Sequence, residues 1–164
     1  MESIVRKATS SDLSSILEIV NQAILNTTAI YDYDVRTLEE QTIIFESKQA
    51  RNFPTFVAEC NNEVVGFGTY DTFRTKVGYR FTVEHSVYVK DGFAGKGIGK
   101  LLLEQLITTA RQENYHIMIG VIDASNENSI RFHEKFGFQS MGILKEISFK
   151  FNSWLDANLM TLNL

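Results

Sequence analysis

Residues 94–101 read Ala94-Gly95-Lys96-Gly97-Ile98-Gly99-Lys100-Leu101. Three glycines at alternate positions are a costly way to begin a helix unless something must approach the backbone closely. After them Ile98, Leu101, Leu102, Leu106, Ile107 and Ala110 recur at helical spacing. A strand running into such a turn and then a helix offers free backbone N–H groups and a positive helix end. The chemistry it supports is the holding of an anion such as phosphate. Lys96 and Lys100 add charge beside it. The dinucleotide pattern G-x-G-x-x-G fails, because Gly95-x-Gly97 meets Lys100 three residues on. The nucleotide pattern G-x-x-x-x-G-K-[ST] fails as well, because Leu101 follows Gly99-Lys100 and the earlier glycine would be Ala94.

Two further residues are of types that move protons. Glu84 sits mid-strand among apolar neighbours, sharing a face with Ser86 and Tyr88. It either meets a cleft, where desolvation raises its pKa toward a useful base, or faces solvent as strand acids commonly do. His133 lies on a short helix, where an isolated histidine is commonly a packing residue. His85, His116 and His133 share no metal-ligand spacing with one another or with Cys60, and no G-x-S-x-G nucleophile elbow is present. Cys60, the single cysteine, reads as a buried structural thiol.

The elements that must position these groups follow from periodicity. Leu13, Ile16, Leu17, Val20, Ala23 and Ile24 form the stripe of an amphipathic helix opened at Ser10-Ser11-Asp12. Thr37-x-x-Glu40 is a capping box for a second helix toward Ala50. Strands are expected at 55–60 and 63–70, joined by a tight turn at Asn61-Asn62, then at 81–89. After the glycine turn and its helix come a strand at 116–122, a short helix at 126–136 stopped by Gly137, and strands at 140–151 and 158–163. The order β-α-α-β-β-β-α-β-α-β-β predicts one α/β (α+β) domain over residues 1–164. Its central sheet is mixed and flanked by about four helices on both faces.

With 164 residues, 44% apolar and 22% charged, the chain can bury a core. A net charge of −4 and scattered Lys and Arg disfavour nucleic acid or an anionic membrane as partner. No apolar run reaches the length of a span, so a cytoplasmic protein is expected.

The turn resembles the pyrophosphate loop of GNAT acetyltransferases, Q/R-x-x-G-x-G/A, with Gly97 and Gly99 as the paired glycines and Ala94 where Gln or Arg is usual. Asn126-x-x-Ser129-Ile130-x-Phe132-His133-Glu134-Lys135-Phe136-Gly137-Phe138 resembles the helix of the same family, with His133 in the usual place of tyrosine. The segments 83–89, 115–119 and 122–124, together with Phe149-Lys150-Phe151-x-x-Trp154-Leu155-Asp156, are similar to the phosphinothricin acetyltransferase branch. The resemblance runs from about residue 3 to the C-terminus. It implies a mostly antiparallel sheet, acetyl-CoA as cosubstrate without a metal, and a homodimer. The implied reaction is direct acetyl transfer to the α-amine of phosphinothricin, methionine sulfoximine or methionine sulfone.

The resemblance also assigns roles. Glu84 becomes the general base, and His133 shares that duty or returns a proton to the departing thiolate. The pyrophosphate falls to Gly95, Lys96, Gly97, Ile98, Gly99 and Lys100. The pantetheine arm falls to the backbones of Val87, Tyr88 and Val89 and to Asn126 and Ser129, and a backbone N–H near Val87 meets the developing oxyanion. Asn126 is equally a helix cap. Arg74, Lys76 and Tyr79 hold the acidic end of the acceptor, with a solvated loop as the other reading. Tyr31 belongs to the substrate-side loop or packs it. Three alternatives stay open for the acceptor, namely a polyamine, an aminoglycoside or a protein N-terminus. A non-catalytic CoA-binding module is the fourth reading.

Overall fold

The computed structural model describes residues 3–164. Its elements are β1 (Ser3–Lys7), α1 (Leu13–Asn26), α2 (Leu38–Ala50), β2 (Thr55–Cys60), β3 (Glu63–Thr72), β4 (Thr82–Val89), α3 (Ile98–Gln112), β5 (Ile117–Asp123), α4 (Glu127–Glu134), β6 (Gln139–Lys150) and β7 (Ser153–Asn163). The seven strands form one mixed sheet in the order β1-β2-β3-β4-β5-β7-β6, antiparallel throughout except where β4 and β5 run parallel.

Both sheet faces are covered. On one, α1 and α2 place Ile16, Ile19, Val20, Ile24 and Phe45 against Val57 and Phe67. On the other, α3 places Ile98, Leu102, Leu103 and Leu106 against Phe56, Ala58 and Val83. Contact on the second face is intimate because β3 lacks side chains at Gly66 and Gly68. A Cβ there would stand 2.9 Å from Ile98 and 3.1 Å from Leu106 respectively. This fixes where α3 begins and so where its free N–H groups lie.

Local chemistry sets the boundaries. Asn61 and Asn62 turn the β2–β3 hairpin with φ of 51° and 63°. Thr37 and Glu40 cap α2 reciprocally, at 3.2 Å and 2.7 Å. Two boundaries differ from expectation. Asp12 ends a short 3-10 turn and its carboxylate accepts the Thr9 N–H at 2.8 Å, so the cap sits one residue before Ser10. The last strand starts at Ser153 rather than 158, because Phe151 and Asn152 adopt φ of 51° and 56° and close a tight hairpin without glycine. Trp154 lies on that hairpin, 63% exposed, rather than in the core. Cys60 is buried and free. No helix among the described residues is long and apolar enough to cross a membrane.

Candidate active site

Parallel pairing of β4 with β5 lasts only three residues, ending at Glu84↔Ile119. Both strands continue, β4 to Val89 and β5 to Asp123, so beyond Glu84 the sheet splits. A cleft of about 270 Å³ occupies the split. Its lining includes Tyr31 of the α1–α2 loop, Glu84, His85, Val87 and Tyr88 of β4, Gly120 and Asp123 of β5, and Asn126, Ser129 and His133 of α4. Residues from both faces of the sheet therefore meet there. Between Val87 and Val89 the β4 edge toward β5 carries no ladder pairing, which leaves its backbone groups able to pair with an extended ligand.

Glu84 is half-buried, and burial pushes its carboxyl pKa up. The charge of Arg74 opposes that shift and Asp71, its cross-strand neighbour, adds to it. Asp71 is itself held ionised. Burial works against it, but Arg51 at 2.6 Å and Lys48 at 3.0 Å prevail and bring its pKa to about 2. The result is one carboxylate locked in ion pairs and a second, partly desolvated, that borders the cleft.

The loop carrying Tyr31 is pinned in three places. Thr28 donates to Asp123 at 2.5 Å, and Tyr33 donates to the Phe149 carbonyl. Lys150, 3% exposed, donates from Nζ to the carbonyls of Ile24, Thr27 and Ile30 at 2.7, 2.7 and 2.6 Å. Lys150 and Asp123 are thus part of the site's scaffold although sequence reading gave neither a role. For Lys150 the only local signal was a cation between Phe149 and Phe151, since its acceptors lie more than a hundred residues away.

The glycine turn sits at the start of α3. Gly97 occupies the N-cap at φ 83° and Gly95 has φ 76°, both left-handed, and a Cβ at either would enter open space. No cap side chain and no first-turn acid competes for the first N–H groups of α3. The cradle accordingly fits a pyrophosphate. Lys96 lies 4.6 Å over the Phe93 ring, and Lys100 is 3.7 Å from Glu104. Asn126 caps α4, accepting from Ser129 N at 3.1 Å.

His133 is buried with both ring nitrogens engaged, Nδ1 with the Ser129 carbonyl at 2.7 Å and Nε2 with His85 at 3.2 Å. Arg74, Lys76 and Tyr79 lie on the exposed loop before β4 and do not line the cleft. Within that loop Tyr79 packs edge-on against Phe73 at 5.7 Å, and Arg74 lies 5.2 Å over the same ring.

The acetyltransferase (GNAT) domain model matches residues 5–159, nearly the whole chain. The chain belongs to the GNAT acetyltransferase family. It is similar to a methionine sulfoximine/methionine sulfone acetyltransferase of Pseudomonas aeruginosa, 39% identical over 100% of this chain and 96% of that one. An L-amino acid N-acyltransferase of Escherichia coli is 36% identical over 98% of this chain and 93% of that one. A phosphinothricin acetyltransferase from Sinorhizobium meliloti, solved in complex with acetyl-CoA, superposes with a TM-score of 0.96 at 34% identity, covering 100% of this chain and 89% of that one. This GNAT protein is an acetyl-CoA-dependent N-acetyltransferase.

Proposed function

We propose that this acetyltransferase acetylates the α-amino group of a small amino acid, with phosphinothricin, methionine sulfoximine and methionine sulfone as representative acceptors. The observation that carries this reading is Glu84, a partly desolvated carboxylate placed where β4 and β5 part, in a cleft small enough to suit an amino acid. Acetyl-CoA supplies an activated thioester. The α3 N-terminus and Gly95–Lys100 hold its pyrophosphate, and the free edge of Val87–Val89 holds the pantetheine with Asn126 and Ser129 beside it. Glu84 takes a proton from the acceptor ammonium, directly or through one water. The nearby charge of Arg74 attracts an acidic acceptor and repels a cationic one, which disfavours polyamines and aminoglycosides. Lys76 and Tyr79 extend the same loop, and Tyr31 walls the opposite side of the cleft. Relatives named for acylation of methionine sulfoximine, methionine sulfone and L-amino acids support an amino-acid acceptor.

Two further parts of the reading concern the whole protein. The apolar outer surface of β6 and β7 supports a homodimer, and the use of acetyl-CoA supports work in the cytoplasm. A thiol-release screen with acetyl-CoA over the three amino acids, a polyamine and an aminoglycoside tests the acceptor. Silence with every amino acid would sink it. Because burial raises the Glu84 pKa, the rate should fall as pH drops through a value above that of a solvated glutamate. Glu84→Gln should lose about 10²–10⁴ in kcat and flatten that acid limb while KM for acetyl-CoA holds.

A further inference from the structure

Two imidazoles lie against each other at the back of the cleft. His85 of β4 and His133 of α4 have ring centroids 5.1 Å apart, planes 23° from parallel and Nε2 atoms 3.2 Å apart. Phe138 sets itself edge-on to both, at 5.5 Å and 5.3 Å. The two side chains are buried, 8% and 6% exposed. Gly120 makes the room, since a Cβ there would stand 3.0 Å from His85 Nε2 and 3.7 Å from His133 Nε2.

One atom that can only accept fixes every proton in the pair. The Ser129 carbonyl lies 2.7 Å from His133 Nδ1, so Nδ1 carries hydrogen and donates. In a neutral ring His133 Nε2 then holds a lone pair. Two lone pairs facing at 3.2 Å would repel, so His85 Nε2 carries hydrogen and donates to His133. His85 Nδ1 is left as a bare acceptor, and it is the ring nitrogen that is buried without a partner.

Burial outweighs the one group that favours a charge on the pair, the Ser129 carbonyl bonded to His133. Burial lowers the pKa of His85 to about 3, with His133 adding to the effect, and burial also lowers that of His133. The ionisable groups on the surrounding elements are turned elsewhere. Tyr70 of β3, opposite His85, donates to Glu113, and Glu84 projects from the other face of β4. Asp123 of β5 is taken by Thr28 and Ser125, while Glu134 of α4 is exposed. No ring nitrogen of His133 remains for the acceptor amine, which leaves the base duty to Glu84.

We propose that His85 is a positioning residue for acetyl transfer, holding His133 in one tautomer and one orientation as half of a neutral, hydrogen-bonded imidazole pair. The proposal rests on the acetyltransferase reading of the cleft, but its first test does not depend on any acceptor. Long-range ¹H–¹⁵N NMR on ¹⁵N-histidine-labelled protein should show His133 as the Nδ1–H tautomer and His85 as the Nε2–H tautomer, both unchanged from pH 6 to 8. The opposite tautomers, or titration of either ring in that range, overturn it. His85→Leu should lower kcat on the order of tenfold, the kinetic equivalent of one hydrogen bond, with KM for acetyl-CoA held. The same variant should mix the His133 tautomers and bring that ring into titration. His85→Gln, whose amide N–H₂ can still donate to His133, should recover most of both losses. An unchanged His133 spectrum and unchanged kcat in His85→Leu overturn the proposal. Reversed tautomers with normal amino-acid turnover refute the pairing alone, whereas the expected tautomers with no amino-acid turnover refute only the acceptor assignment.

Discussion

A lysine ammonium bonded to three backbone carbonyls, with the charge of Asp32 acting on it but no carboxylate among the described residues in direct ion-pair contact, is an uncommon thing to bury. Lys150 tolerates the position because all three of its N–H bonds are used and because one acceptor, the Ile24 carbonyl, belongs to the negative end of α1. Its three acceptors span the last turn of α1 and the first residues of the loop that carries Tyr31. The side chain therefore joins β6 to the wall of the cleft. Lys150→Met keeps most of the volume and leaves three carbonyls unsatisfied, which should cost about 3 kcal/mol and lower Tm by roughly 6–12 °C. Calorimetry checks the stability. Steady-state kinetics should show KM for the acceptor rising more than KM for acetyl-CoA, because the loosened loop borders the acceptor side.

At the scale of elements, the start of α3 is the part whose geometry is most constrained. Gly97 at φ 83° is the N-cap, and an L-residue there is strained by roughly 1–2 kcal/mol while its Cβ enters the space in front of the helix. Gly97→Ala should accordingly raise KM for acetyl-CoA about tenfold and leave kcat at saturation within a few-fold, as read by initial rates. Local signals of this kind were legible in the chain itself. The stripe of α1, the Thr37/Glu40 box and the Asn61-Asn62 turn each depend on residues a few positions apart, and each is present. The split between β4 and β5 was not legible, because it depends on where a pairing ends between strands some 35 residues apart. Nor was the engagement of His133, which needs His85 from another strand. The hairpin at Phe151-Asn152 was missed because it lacks the usual glycine.

The whole molecule ends in an arm rather than a closed surface. β6 is one of the sheet's two edge strands, opposite β1, and with β7 it exposes Met141, Ile143, Ile147, Phe149 and Trp154. An apolar edge of this kind invites a partner, and a second copy of the chain is the occupant proposed above. Sedimentation should find a dimer at micromolar concentration. Ile147→Asp, which would bury a charge in that contact, should weaken association about 100-fold or more, and a wild-type monomer at that concentration would refute the dimer. The divided sheet has a consequence of another sort. Tyr31 and Glu84 reach the opening from the α1 side, while Asn126 and His133 reach it from the other. The sheet is thus a partition with one doorway. On the proposed reading, donor and acceptor come from opposite sides of that partition and meet at its threshold.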